Sequence, residues 1–178
     1  MRAEADRQPA EERFREVFSH LAAVTAYARR RGSTDADGIA AEAMTIAWRR
    51  LGDVPADDPL PWLYATARNL LLADARRADR RSHLRETDEF APAPELRELD
   101  PQLERALRSL RASDREALLL VAWEDLTPSQ AARALGVNAT AFRVRLLRAR
   151  RRLRASLEAA AADAPTLACP VQLDVEEA

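Results

Sequence analysis

The 178-residue chain contains no lysine; its 28 basic side chains are all arginine, set against 29 acidic ones for a formal net charge of −1. That balance excludes a uniformly basic coat, so any nucleic-acid contact must come from local clusters. One cysteine, Cys169, and two histidines, His20 and His83, exclude a disulfide framework and a multi-ligand zinc site. No cofactor is expected. No apolar run approaches the roughly 20 residues that span a bilayer, and the charged amino terminus lacks a signal-peptide core. A cytoplasmic chain without membrane insertion follows as the expectation. Four glycines and little β-branched alternation argue against a sheet. An enzyme or a purely helical scaffold has the least support, since no phosphate-cradling loop, nucleophile–base–acid set or metal-ligand cluster is visible. Asp57 and Asp58 read as loop and helix-start charges.

The richest segment is TPSQAARALGVNATAFRVRLLRARRRL, from Thr127 to Leu153. Thr127 can cap a short helix, Pro128 suits its first turn, and Ala131, Ala132 and Leu135 give it a small inner face. Gly136 permits a sharp turn, and Asn138 can cap a second helix. In that helix Phe142, Leu146, Ala149 and Leu153 recur at three- and four-residue spacings and share a buried stripe. Thr140, Arg143, Val144, Leu147, Arg148 and Arg151 point away from it, with Arg150, Arg152 and Arg154 on the flanks. After Asp125 no acid interrupts the run up to Leu157. Arginine forks pair with phosphates and guanine edges, and the start of a second helix is what enters a major groove, so the pattern reads as a DNA-binding helix-turn-helix. An arginine run alone reads equally well as a solvated face.

Upstream, Phe14, Val17, Phe18, Leu21, Val24 and Ala28 predict one helix ended by Gly32 and Ser33. Thr34 and Asp37 resemble a capping pair for a second, with Ile39, Ala40, Ala43, Met44, Ala47, Trp48 and Leu51 inside and Asp35, Asp37 and Glu42 outside. A polar break, GDVPADDPLP, precedes a third helix from about Pro61. Trp62 and Tyr64 could stack on unpaired bases and Asn69 could bond a base edge, although core packing suits Trp62 on chemistry alone. Arg76, Arg77, Arg80 and Arg81 form basic rows suited to a phosphate backbone, or a solubilising helix end. Residues 82–99 combine acids and prolines and read as a flexible spacer. A second domain opens at Asp100 and Pro101, with Leu103, Ala106, Leu107 and Leu110 as one apolar face. Ser113 and Glu116 form a capping-box pattern, followed by Ala117, Leu120, Val121 and Glu124 on one face. Trp123 suits a core or domain interface. The expected organisation is all-α: two small helical domains, 11–81 and 100–157, joined by a flexible acidic linker at 82–99, with the second domain carrying the helix-turn-helix. An acidic tail at 158–178 has a disordered composition, and its lone Cys169 lacks a resolving partner.

Taken in order, DADGIAAEAMTIAWRRL, WLYATARNLLLADARR and LTPSQAARALGVNATAFRVRLLRARRRLR resemble the extracytoplasmic-function group of bacterial sigma factors, in the sigma-70 family. The first two resemble the family's second conserved region and the third its fourth. The resemblance implies a non-enzymatic subunit that binds core RNA polymerase, recognises minus-thirty-five and minus-ten promoter elements and promotes melting, often under an anti-sigma factor. It places Asp35, Asp37, Ile39 and Glu42 on the polymerase clamp. It assigns Asn69, Trp62, Arg76, Arg77 and Arg80, with the loop from Asp53 to Leu60, to single-stranded minus-ten DNA, and Thr140, Arg143, Val144, Leu147, Arg148 and Arg151 to the minus-thirty-five duplex. The chain departs from the family pattern at Gly38, where an acid is usual, at Ile46, where a base is common, and at Ala141, Phe142 and Val144. The competing reading, an autonomous helix-turn-helix regulator of duplex DNA, leaves the acidic helix and WLYATARN without a role.

Overall fold

The computed structural model describes residues 7–81 and 99–162. Among them are eight α-helices, one 3-10 turn at Leu51–Asp53 and no strand. Helices α1 (Arg7–Phe18), α2 (Leu21–Arg30), α3 (Ala36–Arg49) and α4 (Leu60–Arg81) form the amino-terminal half; α5 (Pro101–Ser109), α6 (Ala112–Ala122), α7 (Pro128–Leu135) and α8 (Ala139–Ala162) form the other.

Local chemistry explains most helix ends. Asp100 accepts from the Gln102 and Leu103 amides at the head of α5, with Pro101 in the first turn. At α7 the Thr127 hydroxyl accepts from the Gln130 amide at 3.3 Å while the Gln130 carbonyl accepts from the Thr127 amide at 2.8 Å, a complete reciprocal box. Gly136 closes α7 with φ at 65°, the left-handed conformation that glycine adopts without a Cβ penalty. Asn138 then accepts from the Thr140 amide at 2.8 Å. Asp125, with φ at 51°, supplies the left-handed turn after α6 that an aspartate tolerates.

Five readings are corrected. The first apolar stripe is two helices, because Ser19 and His20 form a turn in which the Ser19 hydroxyl donates to the Glu16 carbonyl at 2.6 Å. The cap of α3 is Asp35, not Thr34, and it accepts from the Gly38 amide at 2.9 Å. Ser113 makes no cap for α6, because the helix begins at Ala112 with Arg111 as its N-cap and Ser113 lies inside the first turn, while Glu116 bonds Arg68. Ile39 lies in the core at 4% exposure, not on a partner-facing surface, since it falls on the side of α3 that carries Ala40, Ala43, Met44 and Ala47. Helix α8 runs to Ala162, five residues into the segment read as a tail. Residues 82–98 of the expected linker and 163–178 of the tail lie outside the described residues.

The amino-terminal core joins Val24, Tyr27 and Ala28 of α2 to the inner face of α3 and to Leu63, Ala67 and Leu71 of α4. Alanines at the crossings let the helices approach closely, while each fully buried large apolar side chain contributes about 1.5–3 kcal/mol. In the other half α8 lies against α5, α6 and α7, through Phe142, Leu146 and Ala149. The halves touch directly, with α7 packed on α4. No helix of the described residues is long and apolar enough to cross a membrane.

Candidate nucleic-acid interface

The two faces of α8 divide as their spacing requires. Phe142 and Ala149 are fully buried and Leu146 nearly so, whereas Thr140, Arg143, Val144, Leu147, Arg148 and Arg151 are all exposed. Val144 and Leu147, at 43% and 50% exposure, are two of the most exposed large apolar side chains, and they sit among arginines. Apolar groups flanked by guanidinium forks suit a groove that offers thymine methyls and phosphates together. The Arg143 guanidinium reaches the Ser129 hydroxyl at 3.4 Å, so the α7 and α8 starts are tied. Beside this face a cleft lined by Arg111, Asn138, Thr140, Arg145 and Arg148 separates α8 from the start of α6. Arg152 is different: it pairs with the buried carboxylate of Asp114 and braces α8 on α6.

The second candidate surface lies on α4. Asn69 is exposed on it, two turns after Trp62, which is half-buried and packs on the core as its chemistry suggested. Tyr64 is buried and stacks on Tyr27 at 4.7 Å between ring centres, which removes it from base stacking. Arg76 and Arg77 are exposed, and Arg77 pairs with Asp74 at 2.6 Å. The backbone of Arg80 continues α4, and its side chain lies outside the described residues. The loop before α4 is anchored by Arg13, which donates to the Val54 carbonyl, and by the 3-10 turn, in which Arg50 pairs with Asp53 at 2.8 Å.

The outer face of α3 presents Asp37, Ala41, Glu42, Thr45, Trp48 and Arg49 to solvent. Trp48, at 44% exposure, meets Phe14 edge-on at 4.9 Å, and Phe14 meets the exposed Phe18 at 5.9 Å. Phe18 and Trp48 therefore leave large aromatic side chains exposed on the amino-terminal half that also carries the α3 carboxylates. Periodicity places Trp48 at the edge of the core stripe, and the structure turns it outward.

Polar contacts between the halves were not foreseen. Glu124, with a fully buried side chain, accepts from Arg31 at 3.0 Å and from Arg30. Arg31 also lies over the Tyr27 ring, 3.5 Å from its centre. Arg68 donates to Glu116 at 2.8 Å, and its protonated form is held further by that carboxylate against the opposing effect of burial. Asp58 accepts from Gln130 at 3.0 Å and from Arg133. The available hint was Glu124 itself, a carboxylate in register with the apolar positions Ala117, Leu120 and Val121, just beyond the end of α6.

Described residues without a strand, whose last helices form a helix-turn-helix with one greasy and one arginine-rich face, define a helical DNA-binding protein. Residues 101–153 match the model of sigma-70 region 4. The RNA polymerase sigma factor NccH of Alcaligenes xylosoxydans xylosoxydans is 31% identical over 140 residues, covering 70% of this chain and 74% of that protein. The fold matches that of the sigma factor RpoE from Bartonella quintana, solved with the anti-sigma factor NepR, at a TM-score of 0.58 and 23% identity over 81% of this chain and 95% of that one. CnrH, solved with the cytosolic domain of CnrY, matches at a TM-score of 0.54 and 25% identity, over 87% of this chain and 98% of that one. The chain belongs to the extracytoplasmic-function sigma factors of the sigma-70 family, non-enzymatic proteins of transcription initiation.

Proposed function

We propose that this sigma factor binds core RNA polymerase, directs it to promoters through separate minus-thirty-five and minus-ten contacts, and promotes melting by capturing an unpaired base. The observation that carries the proposal is the clean division of α8, with six outward residues, Thr140, Arg143, Val144, Leu147, Arg148 and Arg151, opposite a fully packed stripe. They read the minus-thirty-five duplex in the major groove. Asn69 and the loop before α4 receive the minus-ten base, while Arg76, Arg77 and Arg80 follow the phosphates, which offsets an unstacking cost of about a few kcal/mol. Trp62 supports this pocket from below rather than stacking on the base.

Polymerase docks on α3. Asp37 and Glu42 supply charge, Trp48 supplies the apolar anchor in place of the buried Ile39, and Asp35 is engaged as the helix cap. Solved relatives carry NepR or the cytosolic domain of CnrY, and an anti-sigma partner covering the same surfaces is the controlling partner proposed for this chain.

Run-off transcription from a genomic-fragment library with purified core polymerase tests the proposal. Protein-dependent transcripts that weaken with Asn69→Ala are the expected result. A protein that fails to bind core polymerase yet shifts duplex DNA alone would be the autonomous regulator instead.

A further inference from the structure

The outward face of α8 is as informative in what it lacks as in what it carries. From Ala139 to Leu157 the helix holds no asparagine, glutamine, aspartate or glutamate. Asn138, just before it, commits its side-chain oxygen to the Thr140 amide at 2.8 Å. An adenine edge is read best by the paired donor and acceptor of an amide, and a cytosine amine by a carboxylate acceptor. This face has neither group to offer. What remains, besides the Thr140 hydroxyl, are arginine forks, which suit guanine O6 and N7, and apolar groups, which suit the thymine methyl.

Val144 and Leu147 fill the apolar role. They are 43% and 50% exposed, and neither packs against the core cluster that holds Phe142, Leu146 and Ala149. The fold therefore gives no reason for an apolar side chain at either position. At about 100° per residue, Arg143 and Arg148 fall at the two edges of the outward face, with Leu147 and Val144 between them. Three residues apart on one helix, Val144 and Leu147 are neighbours, with about 5–6 Å between Cβ atoms. Bases along a strand are about 3.4 Å apart, so this pair matches the methyls of thymines one or two steps apart. Both lie in the first three turns of α8, the end that enters a major groove. Val144 is also a position at which the chain departs from the family pattern, so the preference it confers belongs to this chain.

We propose that Val144 and Leu147 are specificity-determining residues that select thymines in the upstream promoter element by packing on their 5-methyl groups, bracketed by Arg143 and Arg148. The inference deepens the minus-thirty-five role given to this face above and rests on it. Apolar contact with a methyl carries sequence information without a hydrogen bond, because only thymine among the four bases presents a methyl in the major groove. A single such contact corresponds to about fourfold in affinity.

The test uses holoenzyme assembled from the full chain and templates carrying promoters found by run-off transcription. Each thymine of the upstream element, on either strand, is replaced singly by deoxyuridine, which keeps the pairing with adenine and lacks only the methyl. Deoxyuridine outside the element is the control. At one or two positions the replacement should weaken holoenzyme binding about fourfold. Leu147→Ala and Val144→Ala should weaken binding to the thymine template by at least that factor, and each should erase the deoxyuridine effect at the position it reads. Both side chains are exposed, so the thermal melts of the variants should match that of the parent. A parent holoenzyme that binds thymine and deoxyuridine templates equally, with transcription intact, overturns the methyl readout and leaves the minus-thirty-five role standing. Variants that bind more weakly yet keep the full deoxyuridine effect overturn it too, and place these side chains against polymerase. Transcripts that survive scrambling of the upstream element, or no transcripts at all, overturn the minus-thirty-five role itself.

Discussion

Gly38 shows how one residue reconciles a family departure with the fold. A Cβ at this position would run into the Asp35 carboxylate that caps α3, so an acid here would displace a cap worth about 1 kcal/mol. The chain places its acids at Asp35 and Asp37 instead. Tyr64 carries a second single-residue consequence. Burial, with Glu124 adding to it, pushes its hydroxyl up from 10.0 to about 12, and burial raises Tyr27 further still. Because the folded state holds the neutral phenol and the unfolded chain does not, this stability is full below pH 10 and is lost as pH rises toward about 12. Urea midpoints from pH 9 to 12 should therefore fall less steeply for Tyr64→Phe than for the parent. Parallel curves would mean that the ring is ionised as readily folded as unfolded.

At the scale of helices, what could be read from sequence was what depends on neighbours in the chain. Thr127, Gln130, Gly136 and Asn138 act within a few residues of one another, so both helices of the reading head and their faces were visible in the spacing. Ser113 and Glu116 have the same local pattern as Thr127 and Gln130, yet Glu116 bonds Arg68, 48 residues away, and no local rule reports that competitor. Helix α3 carries the same lesson. Ile39 and Trp48 both fit its apolar stripe, but the helices packed on α3 leave Ile39 at 4% and Trp48 at 44% exposure. Their variants should separate accordingly. Ile39→Ala should cost about 2–4 kcal/mol of folding stability. Trp48→Ala should leave the unfolding midpoint nearly unchanged while weakening core polymerase binding about tenfold or more, as truncating an aromatic anchor does. Calorimetry and polymerase titration on the same preparations decide it; a large loss of stability in Trp48→Ala would return that residue to the core.

For the whole molecule, spacing and charge pattern pointed to helices and segregated charge, but not that the segregated charges meet across the chain. Arg30 and Glu124 are 94 residues apart, a pairing that periodicity cannot express. The docked halves also change what a core-type substitution should cost. Removing one partner of a buried pair usually destabilises by about 3–5 kcal/mol, because the other charge stays buried alone. In Arg31→Ala the protein has a cheaper route: α7 and the end of α6 leave the amino-terminal half and Glu124 is hydrated. The penalty is then limited to the free energy of docking, if that is smaller than the folding free energy of either half. Arg31→Ala should thus lower the urea midpoint only modestly, while amide exchange accelerates in α7 and along the side of α4 that it covers. Exchange in α3 and in the Phe142–Ala149 stretch of α8 should hold. A full penalty of several kcal/mol with unchanged exchange at α7 would show that the halves unfold before they part, and that the docked form is a single rigid core.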